Sequence, residues 1–435
     1  MNLRSGVALL AAYARARRLD RLTSREALKA IQRRWLTELK RDVVKRSAFY
    51  APFADAPLKE WPAIDKCTWM SRFNDINTVG ADLETIASIA HKAEATRDFS
   101  ASWHGYSVGL STGTSGSRGL FLASPRESAE WAGTLLAKLM RRNLFARERI
   151  ALVLRAGATL YERVGALRLQ FRYFDQSRPW GELVDDVRAF DPTILVASAS
   201  ALRLLARNDR VLRPGRVVSV AEVLDALDRR CIEERFGVGV EQIYQATEGL
   251  LGTTCEHGSV HLNEPYLFIE REWLDSEHTR FIPIITDLRR RSQPVIRYRL
   301  NDILRMRSDP CPCGRASMAL AAIEGREDDV LWLDGVHGPV AVFPDLITRA
   351  IVGVLPDIDD YAVTEQRRGV WSIGVRPSPT ASCEPALQEA MSGLARRLGA
   401  DPPMLVVSSL PAITTLTRAG KQRRVRSVKA MACAS

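Results

Sequence analysis

The chain has 435 residues, of which 46% are hydrophobic, so it can bury a large core divided over two or three domains. Its 62 lysines and arginines exceed its 51 acidic residues, and the net charge of +11 favours anionic partners such as nucleotides, coenzyme A or acidic proteins. These basic residues are mostly arginines scattered along the chain, a pattern that does not favour a dedicated nucleic-acid surface.

The apolar run near the N-terminus is too short for a membrane span. Residues 6–14 are followed by Arg15, Arg17 and Arg18, which predicts an amphipathic helix and not a signal peptide. No stretch approaches the roughly twenty apolar residues of a transmembrane helix, so no membrane partner is expected. The seven cysteines are odd in number and unevenly spaced, which argues against a disulfide framework and predicts a cytoplasmic protein.

Apolar strands alternate with helices in the first half of the chain. The pattern predicts, in chain order, helix 24–47 capped by Ser24, irregular segment 50–105, helix 127–143, strand 150–154, strand 193–198, helix 199–207, strand 217–220, helix 222–236 and strand 243–244. This alternation indicates α/β layers around a largely parallel sheet. The segment 250–305 changes to hairpins, with turn signals at His257-Gly258 and at residues 263–265.

A second pattern starts after residue 325. Two helices, at 343–355 and 385–398, lie among strands near 360–365, 371–375 and 404–408, which predicts a small α+β domain. The expected fold is therefore α/β, with a large N-terminal domain of layered mixed sheets over 1–325 and a small mobile α+β domain over 326–435.

The segment "LSTGTSGSRGL" (110–120) combines glycines with hydroxyl side chains. Such a loop can turn its backbone N–H groups inward as a nest for phosphate oxygens. A flexible surface loop explains the same composition, and the Gly-Lys-Ser/Thr ending of a Walker A loop is missing. The candidate anion-binding residues are Ser111, Thr112, Gly113, Thr114, Ser115 and Gly116.

Four further segments follow this loop in a fixed order: "YQATEGL" (244–250), "IRYRLNDIL" (296–304), "IEGREDDVL" (323–331) and "TRAGKQRRV" (417–425). Together with the loop they resemble the core motifs of adenylate-forming (acyl-AMP) ligases, in the phenylacetate–coenzyme A ligase-like branch. The resemblance runs from about residue 20 to about residue 430. Within the branch it is similar to adenylate-forming proteins related to deazaflavin-coenzyme adenylating synthetases.

The resemblance implies that residues 111–116 surround the β- and γ-phosphates of ATP. In the family a lysine commonly follows the second glycine of the loop, whereas this chain has Ser117 and then Arg118. Two interpretations remain: Arg118 supplies the positive charge one position later, or the backbone nest suffices.

The later motifs imply the rest of the nucleotide site. Tyr244 would stack on adenine, Thr247 would contact the α-phosphate, and Glu248 would hold Mg²⁺, a hard cation that prefers oxygen ligands. Asp302 would accept both ribose hydroxyls, and Arg326 would assist from the other side. For Glu248 the alternative is a solvated loop acid, and for Arg326 it is an interdomain salt bridge.

Two more positions follow from the resemblance, each with an alternative. Ala221 and Glu222, in "VAEVL", would line the adenine pocket, or they would simply begin a helix with an acidic first turn. Asp328 is the expected hinge of the small domain.

Lys421 is the most important residue that the resemblance implies. It would bridge the acyl carboxylate and the α-phosphate and stabilise the negative charge that develops on the phosphoryl oxygens. Its neighbours are basic, so a solvated basic tail is the alternative interpretation.

A candidate metal site combines "CEHGSVH" (255–261) with "CPCGR" (311–315). Cys255, His261, Cys311 and Cys313 offer nitrogen and sulfur ligands for a tetrahedral ion, and His257 is the second choice for the histidine. Their spacing is not that of two Cys-x-x-Cys knuckles, so reduced free cysteines explain the residues alone about equally well. The resemblance to this ligase branch implies a structural Zn²⁺ that fixes a hairpin near 250–315.

The function that the resemblance implies is ATP- and Mg²⁺-dependent activation of a small carboxylic acid to an acyl-adenylate. The acyl group would then pass to a thiol, foremost that of coenzyme A, and family analogy favours an aromatic acid. Alternatives are AMP transfer to a phenolic hydroxyl, acyl transfer to an acyl carrier protein or an amine, and an inactive anion- or nucleic-acid-binding relative. Dimers are common in this branch, so a homodimer is expected.

Overall fold

The computed structural model describes residues 3–110, 118–140, 146–155, 169–209, 211–411 and 423–427. The helices are α1 Leu3–Leu19, α2 Arg25–Val44, α3 Lys66–Ser71, α4 Phe73–Ile76, α5 Leu83–Thr96, α6 Pro125–Leu139, α7 Trp180–Phe190, α8 Ala199–Ala206, α9 Ala226–Phe236, α10 Pro344–Val354 and α11 Cys383–Arg397. Among these ranges, no helix is both long and apolar enough to cross a bilayer.

The strands fall into four sheets. Their bounds are β1 Ser102–Trp103, β2 Tyr106–Leu110, β3 Leu120–Ala123, β4 Glu148–Leu154, β5 Leu169–Asp175, β6 Ile194–Ala197, β7 Arg216–Val220, β8 Val240–Ala246, β9 Gly249–Thr254, β10 Val260–Leu262, β11 Leu267–Trp273, β12 Arg280–Asp287, β13 Tyr298–Arg299, β14 Asp302–Met306, β15 Ala319–Arg326, β16 Leu331–Leu333, β17 Val340–Val342, β18 Asp360–Arg367, β19 Val370–Arg376, β20 Met404–Ser409 and β21 Val425–Arg426.

A twelve-stranded mixed sheet forms the centre of the large domain, in the order β11-β12-β14-β15-β10-β9-β8-β7-β6-β4-β5 with β13 beside β12. In this spatial order, the neighbours β5, β4, β6, β7 and β8 are parallel to one another. The neighbours from β8 through β9, β10, β15, β14 and β12 to β11 pair in antiparallel orientation. Along β4, Ile150 and Leu152 pack in one hydrophobic cluster with α6, while Ala151 and Val153 pack in another with α7 and α8. Because helices cover both faces, β4 is buried and apolar from Ile150 to Val153 without alternation, and the predicted α/β layers are confirmed.

The smaller C-terminal α+β domain is also confirmed. It contains the β16–β17 hairpin and a four-stranded sheet in the order β20-β19-β18-β21. Buried Tyr361, Trp371 and Ile373 of this sheet pack against Leu387 and Met391 of α11. Apart from Leu227 of α9, the buried residues of this core therefore belong to the small domain itself.

The prediction of an irregular segment over 50–105 was wrong. This segment contains α3, α4 and α5, and the side chains of Asp65 and Asp82 cap α3 and α5 by accepting hydrogen bonds from the first turn. Ile86, Ala90 and Ala93 form the buried face of α5. Small alanine side chains give a weak hydrophobic pattern, so the helical period was not evident from the sequence.

The helix predicted to begin at Glu222 begins instead at Ala226. Asp225 is its N-cap, and its carboxylate accepts a hydrogen bond of 2.8 Å from the backbone N–H of Leu227. Ala221 has a φ of 68°, which is incompatible with a right-handed helix. The interpretation of 221–222 as a helix start was therefore wrong, and the link between β7 and α9 is irregular. The N-cap predicted at Ser24 is confirmed.

Candidate active site

A cavity of about 780 Å³ opens where the parallel strands β6, β7 and β8 end. Ligands of open α/β sheets bind beyond the carboxyl ends of the strands, so this is the expected place for a substrate. Residues of both domains line it. The residues singled out from the sequence that lie on its wall are Ala221, Glu222, Tyr244, Thr247, Glu248, Asp302, Arg326 and Asp328.

Tyr244, Asp302 and Arg326 form a connected group on this wall. The Tyr244 hydroxyl donates a hydrogen bond of 2.7 Å to Asp302 Oδ2, and Arg326 Nε lies 3.5 Å from Asp302 Oδ1. Asp302 and Arg326 are direct partners in the β14–β15 ladder, which fixes their separation. Burial and the neighbouring carboxylate raise the pKa of Tyr244, so its hydroxyl remains a donor. Both Asp302 oxygens are thus oriented before any ligand arrives.

Thr247 and Glu248 form the turn between β8 and β9. The Glu248 side chain is largely buried, with a residue exposure of 7%. Arg290, which also lines the cavity, fixes the backbone of this turn, because its guanidinium donates hydrogen bonds of 2.8 Å to the Thr247 carbonyl oxygen and 3.3 Å to that of Glu248. Arg290 was missed from the sequence, since nothing in "DLRRRSQP" marks one of its three arginines.

Lys66, the first residue of α3, also lines the cavity and was missed. Burial disfavours its ammonium and lowers its pKa, while the nearby Glu248 carboxylate acts in the opposite direction. A partly buried cation beside a carboxylate in a substrate cavity is a functional candidate. The sequence offered no signal for it, because Lys66 lies in the segment that was expected to be irregular.

Ala221 and Glu222 lie where β7 leaves the sheet. The Glu222 carboxylate accepts a hydrogen bond of 2.9 Å from the backbone N–H of Ser200, in the first turn of α8. It therefore ties the β7–α9 link to the start of that helix, at the cavity wall. The left-handed backbone of Ala221 is a strained conformation for a non-glycine residue, and such residues cluster at ligand sites.

The strands β2 and β3, which come just before and just after the candidate phosphate loop in the chain, pair in antiparallel orientation. Residues 111–117 are outside the described residues, but the two strands are paired up to Leu110 and Leu120. Buried Gln293 supports β3 by accepting from the Leu122 N–H at 2.9 Å and donating to the Leu120 carbonyl oxygen at 3.1 Å. The structure thus describes the two strands that the loop connects in the chain.

Arg118, the candidate replacement for the loop lysine, forms a two-point ion pair with Glu94. Its Nη2 lies 2.7 Å from Glu94 Oε1, and its Nη1 contacts the other carboxylate oxygen. Glu94 lines the cavity. Phosphate binding by Arg118 would therefore have to compete with a carboxylate that is already in contact.

Lys421 also lies outside the described residues, although the chain is described again from Arg423. Arg423 and Arg424 both line the cavity. The Nε of Arg423 donates a hydrogen bond of 2.6 Å to Asp329 Oδ1, directly after the expected hinge residue Asp328. Asp328 itself accepts hydrogen bonds from Asn301 at 3.1 Å and from the Ser427 hydroxyl at 2.8 Å. The described segment after Lys421 is thus held against Asp328 and Asp329.

The four candidate metal ligands come together. One ligand atom from each of Cys255, His261, Cys311 and Cys313 lies within 4.8 Å of the others. His261 Nε2 is 3.2 Å from Cys313 Sγ, and Nδ1 is 2.8 Å from the Ser317 carbonyl oxygen. That carbonyl orients the ring and leaves Nε2 for a metal, as metal-bound histidines commonly require. The set fits a closed zinc site, and exposed His257 is not part of it.

No family model matches the chain. It is 24% identical over 153 residues to a phenylacetate-coenzyme A ligase from Thermus thermophilus, covering 32% of this chain and 33% of that protein. It is 25% identical over 219 residues to a phenylacetate-coenzyme A ligase from Pseudomonas putida, covering 46% and 48%. In these matches the chain spans about half or less of the length of the curated relatives.

The fold is similar to that of a solved acid ligase. The crystal structure of 2-hydroxyisobutyryl-CoA ligase in complex with 2-HIB-AMP aligns with a TM-score of 0.68 and 18% identity, over 92% of this chain and 90% of that chain. The alignment includes both domains, since it leaves out less than a tenth of the chain. Together with the ordered motifs and the two sequence similarities, this fold places the chain in the adenylate-forming ligase superfamily.

Proposed function

We propose that the chain activates a carboxylic acid with ATP and transfers the acyl group to the thiol of coenzyme A. A carboxylate oxygen would attack the α-phosphorus, forming the acyl-adenylate while pyrophosphate leaves. The thiolate sulfur would then attack the acyl carbon, and AMP would leave. The observation that carries the proposal is that residues of three separate motifs line one cavity: Tyr244 and Glu248 from the first, Asp302 from the second and Arg326 from the third.

Asp302 would accept the two ribose hydroxyls of ATP. Its oxygens already face Tyr244 and Arg326, so little reorganisation is needed when the nucleotide binds. The ring of Tyr244 would contact adenine and its hydroxyl would orient the ribose-binding carboxylate. Ala221 and Glu222 would complete the adenine pocket.

The residues around the phosphates would be the hairpin loop 111–116, Thr247, Glu248 and Lys66. Glu248 would hold Mg²⁺, and this ion supplies positive charge to the phosphate oxygens when it is bound. The burial of Glu248 supports a role other than that of a solvated loop acid. The hydrogen bonds from Arg290 to the backbone carbonyl oxygens of Thr247 and Glu248 support this role, because they fix the backbone that carries the Glu248 side chain.

Lys421 would stabilise the charge on the α-phosphate. Lys421 precedes Arg423, a residue of the cavity wall, by two positions. Because two residues of chain span at most ~7 Å, the Lys421 backbone would lie within that distance of the Arg423 backbone. We propose domain limits of 1–325 and 326–435 and rotation of the small domain about Asp328 between the two steps. The fixation of Asp328 and Asp329 to the segment after Lys421 supports this hinge position.

The names of the relatives support an aromatic acid and coenzyme A as substrates. Both curated relatives are phenylacetate-coenzyme A ligases, although the aligned structure belongs to a ligase for 2-hydroxyisobutyrate. Transfer to a carrier-protein thiol, an amine or a phenolic hydroxyl would use the same adenylation site. We also propose that the protein forms a homodimer and acts in the cytoplasm.

Exchange of labelled pyrophosphate into ATP over a panel of aryl, arylacetyl and hydroxy acids tests the function. We expect exchange that depends on one acid class and on Mg²⁺, and an acyl-coenzyme A product in the mass spectrum only when coenzyme A is present. A stable acyl-adenylate that coenzyme A does not consume would instead favour a carrier protein or an amine as acceptor. Absence of exchange with every acid, by a folded protein that binds ATP, would contradict the proposal.

We also propose that Cys255, His261, Cys311 and Cys313 hold a structural Zn²⁺. Cys255 and His261 flank the turn between β9 and β10, whereas both other cysteines lie between β14 and β15. An ion with four protein ligands has no open position, so its contribution would be to stability and not to chemistry.

Replacement of Cys311 with serine is expected to remove one zinc ion per chain and to lower the melting temperature by at least about 5 °C, because bound metal stabilises only the folded state. Metal analysis and thermal unfolding measure the two effects. Cys67→Ser, at an exposed cysteine outside the cluster, is the matched control and should change neither. A zinc-free wild-type protein of unchanged stability would rule out the site.

A further inference from the structure

A buried cluster of charges joins the two domains beside the active-site cavity. Arg203 on α8 and Asp228 on α9 belong to the large domain, while Asp360 on β18 and Arg424 next to β21 belong to the small one. The exposure of each of these four side chains is 9% or less. Such a cluster is unusual, because charges withdrawn from water must be paired closely.

Every arginine in the cluster contacts both aspartates. Arg424 Nη1 and Nη2 each lie 2.7 Å from an oxygen of Asp228, and Arg424 Nε lies 2.9 Å from Asp360 Oδ1. Arg203 Nη1 lies 3.0 Å from Asp228 Oδ1 and 2.9 Å from Asp360 Oδ1. Two of these contacts, Arg424 with Asp228 and Arg203 with Asp360, therefore cross the domain boundary.

Three further contacts beside this cluster also cross the domain boundary. The Tyr361 hydroxyl of β18 donates a hydrogen bond of 3.0 Å to Asp225, the N-cap of α9. Arg207 Nη2 lies 2.9 Å from Asp359 Oδ1, and Arg230 donates to the Pro356 carbonyl oxygen at 2.7 Å. The surface of α8 and α9 is thus the docking face for the small domain.

The geometry of the cluster specifies one domain orientation. An apolar interface tolerates small rotations, whereas a planar guanidinium paired with two oxygens loses both bonds when its partner turns away. Buried ion pairs add little net stability compared with apolar packing, but a buried charge that has lost its partner is strongly unfavourable. Rotation of the small domain would separate Arg424 from Asp228 and so would require a compensating contact.

We propose that Arg424 is a positioning residue that locks the small domain in the orientation for adenylate formation. This inference rests on the proposed function, because Lys421 lies three positions before Arg424 and would reach the reacting phosphate in this orientation. The lock opens when the small domain rotates for thioester formation. Arg424 therefore favours the first step and is not needed in the second.

Hydrogen–deuterium exchange of the full-length protein without ligands tests the lock. Arg424→Met should increase exchange in α8 and α9 at least about tenfold, with no change in β6 and β7. Arg376→Met is the matched control, because Arg376 pairs with Asp360 at 3.0 Å wholly within the small domain. Asp228→Asn, which alters only the large-domain partner, should reproduce the effect if Arg424→Met is poorly folded. Unchanged exchange in α8 and α9 in both variants would overturn the proposal.

The two half-reactions test positioning, with phenylacetate as the probe acid. Arg424→Met should lower pyrophosphate exchange about 10- to 10²-fold, whereas thioester formation from added phenylacetyl-adenylate should change less than about threefold. Equal losses in both steps would indicate a merely structural role and would overturn the proposal. If the wild-type protein catalyses neither step with phenylacetate or with any other acid of the exchange panel, the proposed function fails, and hydrogen exchange still decides whether Arg424 is the lock.

Discussion

Alanine in place of Lys421 is expected to lower acid-dependent exchange of pyrophosphate into ATP by about 10²- to 10³-fold. As the acid attacks the α-phosphorus, negative charge collects on the phosphoryl oxygens, and a positioned ammonium stabilises that charge most strongly in the transition state. The loss should therefore appear mainly in kcat, with a smaller change in KM for ATP. Initial exchange rates at saturating acid measure the effect.

Lys29→Ala is the control for Lys421→Ala, because Lys29 is an exposed lysine on α2. It should retain full exchange and the wild-type melting temperature. If Lys421→Ala retained its activity while Lys66→Ala lost it, the essential cation would come from α3 of the large domain. That result would contradict the proposed role of Lys421 without removing the rest of the site.

Asparagine in place of Asp302 is expected to raise KM for ATP by about 10- to 10²-fold, because hydrogen bonds to a charged acceptor contribute about 1.5–3 kcal/mol each. The change removes the carboxylate charge that faces Arg326 and offers an N–H where a ribose hydroxyl needs an acceptor. KM for the acid should stay nearly constant. ATP titrations of the exchange rate at fixed acid measure KM for ATP, and acid titrations at fixed ATP measure KM for the acid.

Asp309→Asn is the matched control, since Asp309 is an exposed carboxylate just after β14. Tyr244→Phe separates the two roles of the tyrosine, because it keeps the ring and removes only the hydroxyl that orients Asp302. We expect a smaller rise in KM from this variant than from Asp302→Asn. An Asp302→Asn protein with an unchanged KM for ATP would show that the ribose is bound elsewhere.

Several elements were predictable because their causes are local. Ser24 caps α2 through a hydrogen bond to a residue three positions away, and the apolar run of β4 reflects burial on both faces. The helix α5 escaped notice because its buried face is mostly alanine. The start of α9 was misplaced because Glu222 resembles the acidic first turn of a helix, whereas its carboxylate binds the backbone of another helix.

Some residues of the candidate site were also predictable from local motifs, whereas others were found only in the tertiary structure. Tyr244, Glu248 and Asp302 belong to contiguous motifs, so a resemblance to a known family was enough to select them. Lys66 and Arg290 belong to no motif. The packing of α3 brings Lys66 to the cavity wall, and the packing of the segment after β12 brings Arg290 to the turn between β8 and β9. The choice of His261 over His257 also required the tertiary structure, since both histidines lie close to Cys255 in the chain.

By itself, the sequence determined the superfamily, the division into α/β and α+β parts, and the identity of the nucleotide-binding candidates, because each can be recognised from short contiguous motifs or from local periodicity. The tertiary structure decided which side chains share the cavity, which four ligands converge, and how Arg203, Asp228, Asp360 and Arg424 join the domains. The physical reason is that these contacts are made between distant segments. Their partners are chosen by burial and by strand pairing, which no local pattern of residues encodes.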